Sequence, residues 1–216
     1  MFKSKRIVAF AAAGMATAMI SVGLIGTSST ALPSGDPGGS AASSKDIEVT
    51  TYGTKRYEID THERYEDFVA RFETAVPMVS PDLWIGAADW DEVVANTTAA
   101  ATNGFLIYAK YTQWPWANIS GTTGLDNRRG AMYLMGNHVI AETMYRYNPG
   151  VMIHAPLRPM IFEDEQGDAV FLIERPSDQF AAYGDKRIAE VGLLLDRKLA
   201  RLLEVLEVPV PSGLTR

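Results

Sequence analysis

Residues 186–206 read KRIAEVGLLLDRKLARLLEVL, and this stretch decides the fold. Ile188, Val191, Leu195, Leu199, Leu202 and Leu206 recur at steps of three and four, the spacing that places side chains on one face of an α-helix. Lys186, Glu190, Arg197, Arg201 and Glu204 fall elsewhere on the wheel. Burying six such apolar side chains at ~1.5–3 kcal/mol each gives a gain comparable to the net stability of a whole domain. A helix with one such stripe needs a flat apolar partner, and the segments upstream provide strands.

Ile47 to Asp60 alternates β-branched and aromatic residues with polar ones, which predicts a strand or a bent pair broken at Gly53. Asp60 or Thr61 then caps a helix from His62 to Ala75, ended by Pro77 and Pro81. Asp89 opens a second helix running to Thr102, with Trp90, Val93, Val94 and Thr97 on one face and Asn103-Gly104 as the stop. Phe105–Thr112 and Ala131–Met135 read as strands, joined by a loop that holds Trp114, Pro115 and Trp116. Asn137 caps a helix over Val139–Tyr147, and Pro149-Gly150 ends it. Met152–Glu163 and Ala169–Glu174 form a hairpin around Asp164–Asp168, and Pro176 opens a helical turn reaching Tyr183. Runs of strands and helices in this order describe an α+β fold, an antiparallel sheet covered by helices, rather than a doubly wound parallel one.

The N-terminus reads as an export signal. Lys3, Lys5 and Arg6 precede an uncharged run from Ile7 to Gly26, and Ser29-Thr30-Ala31 supplies the small residues of a cleavage site. The alternative is an uncleaved membrane anchor over residues 7–26. Residues 32–45, rich in Pro, Gly and Ser, read as a flexible linker, and residues 46–216 as one domain. Residues 1–31 hold three basic and no acidic side chains, so cleavage after Ala31 moves the net charge from −6 to −9. An acidic surface disfavours nucleic acid as a partner, and membrane contact is expected only if the N-terminal segment is retained. The expected location is periplasmic or extracellular. The chain has no cysteine, which removes disulfides, thiolate nucleophiles and Cys-ligated metals.

The chemistry-bearing residues concentrate in Tyr133–Arg158, YLMGNHVIAETMYRYNPGVMIHAPLR. His138 and Glu142 stand four apart on the predicted helix and share a face, and His154 lies just beyond it. Two histidines and a carboxylate can hold a divalent metal or act as an acid–base set, so these three are the candidate catalytic and metal residues. The plainer reading is structural histidines, with Glu142 paired to Arg146. Arg158, between Leu157 and Pro159 in a strand expected to be buried, needs either a ligand carboxylate or an internal partner such as Glu142, Glu163 or Asp178. Arg175 can face the same cavity. Asn137, His138, Arg158, Arg175, Trp114 and Trp116 are the candidate ligand-binding residues. Ser177 and Ser120 lie outside any Gly-x-Ser-x-Gly elbow, and Gly121–Gly124 lacks the lysine of a phosphate-binding loop.

The run from Tyr133 to Asp168, the segment Arg175–Leu203 and the earlier Trp90–Tyr111 together resemble the bacterial family called domain of unknown function 302. Gly136-Asn137, Asn148-Pro149 and Pro156-Leu157-Arg158 are the specific elements, and His138 marks what looks like an exported branch. The resemblance implies an α+β fold related to TATA-binding-protein-like domains and a homodimer, and it implies no reaction or cofactor. Two functions stay open on the residues. One is a small-ligand-binding or structural module. The other is an enzyme, or a haem or metal protein, built on His138, Glu142 and His154.

Overall fold

A computed structural model describes residues 47–112 and 128–215. Five strands form one antiparallel sheet: β1 (Arg56–Arg64), β2 (Leu106–Thr112), β3 (Gly130–Gly136), β4 (Met160–Glu163) and β5 (Asp168–Glu174). Their spatial order is β1-β5-β4-β3-β2. The helices among the described residues are α1 (Tyr65–Ala75), α2 (Trp90–Ala100), α3 (His138–Tyr145), α4 (Pro176–Ala181) and α5 (Lys186–Val205). The fold class is therefore α+β, as expected.

The period-two pattern of the strands sets the two faces of the sheet. Ile59, Phe171, Ile161 and Ala131 lie in register across four strands, and all are buried. One residue along each strand, Glu58, Leu172, Met160 and Met132 form the matching row on the opposite face, where none is fully buried. On the inner face, α1 sets Phe68 and Phe72 against Phe171, with ring centroids 6.4 and 5.9 Å apart, and Phe72 also meets Tyr133 at 4.9 Å. Helix α5 buries the predicted stripe, with Ile188, Leu199, Leu202 and Leu206 fully enclosed. The chain from Glu48 onward is one compact unit.

Two expectations need correction. Residues 47–55 form no strand, and β1 runs past the proposed helix cap to Arg64. Thr61 is turned inward, donating its hydroxyl to the Ala169 carbonyl at 2.7 Å, and its oxygen accepts the Glu63 N–H within β1, so it caps no helix. His62 adopts a positive φ of 53° where the β1–β5 register slips, and α1 starts at Tyr65 without a side-chain cap.

The long strand over Met152–Glu163 is the second correction. Only Met160–Glu163 pairs continuously; Pro149–Ile153 is a 3₁₀ turn, and the Ala155–Pro156 peptide is cis. Leu157 makes one isolated antiparallel bridge to Met135. Pro159 has no N–H to return to Tyr133, so the ladder loses one bond there, but the pairing with β3 continues in register: Tyr133 N donates to the Pro159 carbonyl at 2.9 Å, and Leu157 and Met135 exchange bonds of 2.8 and 2.9 Å. Upstream of that pairing, Met152, Ala155 and Pro156 join Leu157 as a wall of the site described next. The turn at Asp164–Asp168 forms as read: Asp164 Oδ1 accepts from Gln166 N and Asp168 N, and Gly167 takes φ 86°.

Candidate functional site: an apolar cavity with Tyr108 and His138 at one end

The site grows from Gly136-Asn137-His138, where β3 passes into α3. Asn137 Oδ1 accepts from the N–H groups of Val139 and Ile140, satisfying two donors that a helix start leaves free, and its Nδ2 donates to the Gly104 carbonyl at 3.2 Å. The side chain is thus spent on folding. Gly136 lies under Pro156, whose Cβ and Cα would stand 3.4 and 3.5 Å from any added Cβ.

His138 is the first residue of α3 and is held by three elements. The Tyr108 hydroxyl, from β2, accepts the His138 backbone N–H at 2.9 Å and bonds ring Nδ1 at 2.8 Å. Thr97 Oγ1, from α2 and almost fully buried, bonds Nε2 at 2.7 Å. The indole of Trp84 meets the imidazole edge-on at 5.2 Å. Burial pushes the His138 pKa below its ordinary value and the Tyr108 pKa above its own, so both are neutral near pH 7. A neutral imidazole offers one donor and one acceptor, and two hydroxyls on opposite nitrogens match that demand in either tautomer.

Behind this pair lies a cavity of about 240 Å³. Ile140 and Met144 of α3, Leu157 of the segment before β4, Phe180 of α4 and Leu195 of α5 form its walls. The polar contribution comes from Tyr108, Asn137 and His138, all at the β3–α3 end. Such a chamber offers dispersion and desolvation over most of its surface and a hydrogen-bonding group at one pole.

The other candidate residues lie elsewhere. Glu142 turns away from the cavity and forms an ion pair with Arg146, with Arg146 Nε donating to Oε1 at 3.0 Å. His154 ends the 3₁₀ turn and lines a different pocket, shared with Arg158. Among the described residues no group of three His, Asp or Glu side chains is placed to hold a metal. Arg158 is exposed rather than buried, because it stands two residues before Met160 and so shares the open face of the sheet with Met160, Leu172 and Glu58. Its three expected partners serve other cations: Glu142 serves Arg146, Glu163 serves Arg129 at 2.7 Å, and Asp178 serves Arg175 at 3.4 Å. Arg175 is an internal ion-pair residue, donating from Nε to Asp196 at 2.9 Å, with Asp196 fully buried. Trp114 and Trp116 lie outside the described residues.

Reading the sequence did not single out Tyr108 or Trp84 as partners of His138. It also passed over Asp196, although that residue falls on the apolar face of α5 with Ile188 and Gly192. A carboxylate on a buried stripe signals a partner, and here Ser177 N and Arg175 supply it.

Comparison with known proteins agrees with this architecture. No curated protein matches the chain. The crystal structure of an uncharacterized conserved protein DUF302 from Bacillus stearothermophilus is similar in fold, with a TM-score of 0.51 and 12% sequence identity, covering 70% of this chain and 97% of that one. The family described as "Domain of unknown function DUF302" matches residues 86–206, a span that contains every residue lining the apolar cavity. On that match, the chain belongs to the DUF302 family.

Proposed function

We propose that this domain is a binding module for a small, mainly apolar molecule with one polar end, held in the cavity between α3, α4, α5 and the sheet. The carrying observation is the cavity itself: about 240 Å³, walled by aliphatic and aromatic side chains, with the Tyr108–His138 pair at one pole. That volume lies just under the ~300–1,000 Å³ usual for drug-sized ligands, so the occupant is smaller than those. Each buried methylene contributes about 0.8 kcal/mol before the cost of association is met. Both ring nitrogens of His138 already have hydroxyl partners, which favours a fixed polar wall over a base or a metal ligand. The basic and apolar N-terminal sequence, outside the described residues, supports action of the domain outside the cytoplasm.

The test is titration with the uncharged dye N-phenylnaphthylamine. Saturable fluorescence enhancement at one site per chain is expected, lost in Ala141→Phe, whose ring fills the space beside Ile140 and Met144. Absence of saturable enhancement in the parent protein, or its persistence in a folded Ala141→Phe variant, overturns the reading.

A further inference from the structure

A second concavity of about 220 Å³ lies at the end of the sheet, lined by Arg56, His154, Leu157, Arg158, Leu172, Ile173, Glu174 and Gln179. Leu157 is the only residue it shares with the apolar cavity. The strand register explains why the two arginines meet there. Arg56 of β1 pairs with Glu174 of β5, and Met160 of β4 pairs with Leu172. Strands β4 and β5 are antiparallel, so Arg158, two residues before Met160, comes level with Glu174, two residues after Leu172. The order β1-β5-β4 then sets Arg56 and Arg158 on the two flanks of β5.

Neither guanidinium has a hydrogen bond or an ion pair among the described residues, in a chain whose net charge is −6. The carboxylates nearby are engaged: Asp178 by Arg175 and the Lys55 backbone N–H, and Glu174 Oε2 by Gln179 Nε2 at 2.7 Å. With His154 neutral, the two arginines and Glu174 give the lining a formal charge of +1. The His154 ring is fixed by the edges of Tyr52, Phe180 and Tyr183, at 5.8, 6.3 and 6.1 Å, and its Nε2 bonds Tyr52 OH at 3.2 Å. Its Nδ1 has no hydrogen bond among the described residues.

We infer that this pocket is an oxyanion site, distinct from the apolar cavity, in which Arg56 and Arg158 grip a carboxylate or phosphate group and His154 Nδ1 faces the same anion. Guanidinium suits this task because its planar fork gives paired, charge-assisted hydrogen bonds to either group. Leu157, Leu172 and Ile173 add apolar contact for a short substituent on the anion. The proximity of Arg158 already helps to disfavour the charged imidazole, after burial, and a bound anion would reverse that contribution.

Amide-resolved NMR tests the site, with inorganic phosphate and propionate titrated separately. Saturable shifts at Arg56, Arg158 and Glu174 are expected with at least one probe, and the probe that binds identifies the head group. Arg56→Gln and Arg158→Gln should each weaken binding by about tenfold or more, with melting temperature unchanged because both side chains are exposed and make no hydrogen bond or ion pair among the described residues. Arg197→Gln, on the exposed face of α5, should leave it as it was. Ala141→Phe should retain anion binding even as it blocks the apolar cavity, which keeps this site's fate separate from that of the proposed ligand. Linear, unsaturable shifts with both probes, or binding that survives loss of both arginines, overturns the inference.

Discussion

Tyr108 and His138 are joined twice by one hydroxyl, which takes the His138 backbone N–H at 2.9 Å and bonds its Nδ1 at 2.8 Å. The phenol therefore does two jobs. It satisfies a donor at the first residue of α3, where no earlier turn of the helix can, and it fixes the ring at the polar end of the apolar cavity. Tyr108→Phe removes both bonds and keeps the ring volume. The expected loss is about 1–3 kcal/mol, the cost of leaving partly buried polar groups unpaired. Urea unfolding of the two proteins measures it, and a difference below about 0.5 kcal/mol would show that water replaces the hydroxyl.

The histidines set a pH dependence. Burial holds both His138 and His154 below the ordinary value of 6.5, and for His154 the charge of Arg158 adds to it. As pH falls through 6.5 the unfolded chain takes up protons at these positions before the folded protein does. Stability is therefore expected to fall as pH drops below that value, and above it the two residues contribute no slope. Depressed carboxylates such as Glu66, held at about 2 chiefly by Arg129, act only below their own unfolded value of 4.5. The window between 4.5 and 6.5 thus belongs to the histidines. Urea midpoints across that window, with ring-proton NMR titration of His138 and His154, provide the check.

Asp196 lies fully buried on α5, accepting from Arg175 Nε and from the Ser177 backbone N–H, both at 2.9 Å. It ties the start of α4 to the middle of α5. Asp196→Ala strands the Arg175 guanidinium, whose side chain is only 15% exposed, and breaking such a buried pair costs roughly 3–5 kcal/mol. Against a typical total of about 5–15 kcal/mol, that is enough to lower the thermal midpoint by many degrees, which circular dichroism records. A variant as stable as the parent would show Asp178 alone to be a sufficient partner.

At Gly192 the helices α4 and α5 approach closely. A Cβ there would stand 3.0 Å from Ser177 Cα and 3.1 Å from Phe180 Cβ. Gly192→Ala gains roughly 1 kcal/mol of helix propensity but pushes α4 outward, an overpacking cost of about 1–3 kcal/mol. A net loss of stability is expected, together with weaker dye binding, since Phe180 is a cavity wall. Increased stability with unchanged dye binding would mean that the two helices separate freely.

Much of the fold is legible because it rests on periodicities that one segment carries alone. The three- and four-residue steps from Ile188 to Leu206 required a long helix with one buried stripe, and α5 is that helix. Asn137 and Asp89 announced helix starts, and both side chains accept the expected backbone N–H groups. The errors fall where a distant partner outbids a local signal. Thr61 reads as a cap but bonds Ala169, 108 residues away. The composition of Met152–Pro159 reads as strand throughout, but only Leu157–Pro159 bonds to β3, and Met152 and Ile153 belong to a 3₁₀ turn.

The site divides in the same way. His138 stands out in the sequence as a polar residue that the fold does not demand, but its Thr97 and Tyr108 contacts span 41 and 30 residues and leave no spacing signature. Arg158 stands out equally, and the sequence implied that it needs a counter-charge. Strand order and register then decided the rest: they gave each expected carboxylate to a nearer cation and set Arg56 beside the same concavity. Sequence by itself determined the elements, the α+β class and the residues worth watching, because helix caps and apolar repeats act over a few residues. Which of those residues meet was decided only by the tertiary structure, because hydrogen bonds and charge pairs depend on distances of a few ångströms between chain segments far apart in sequence.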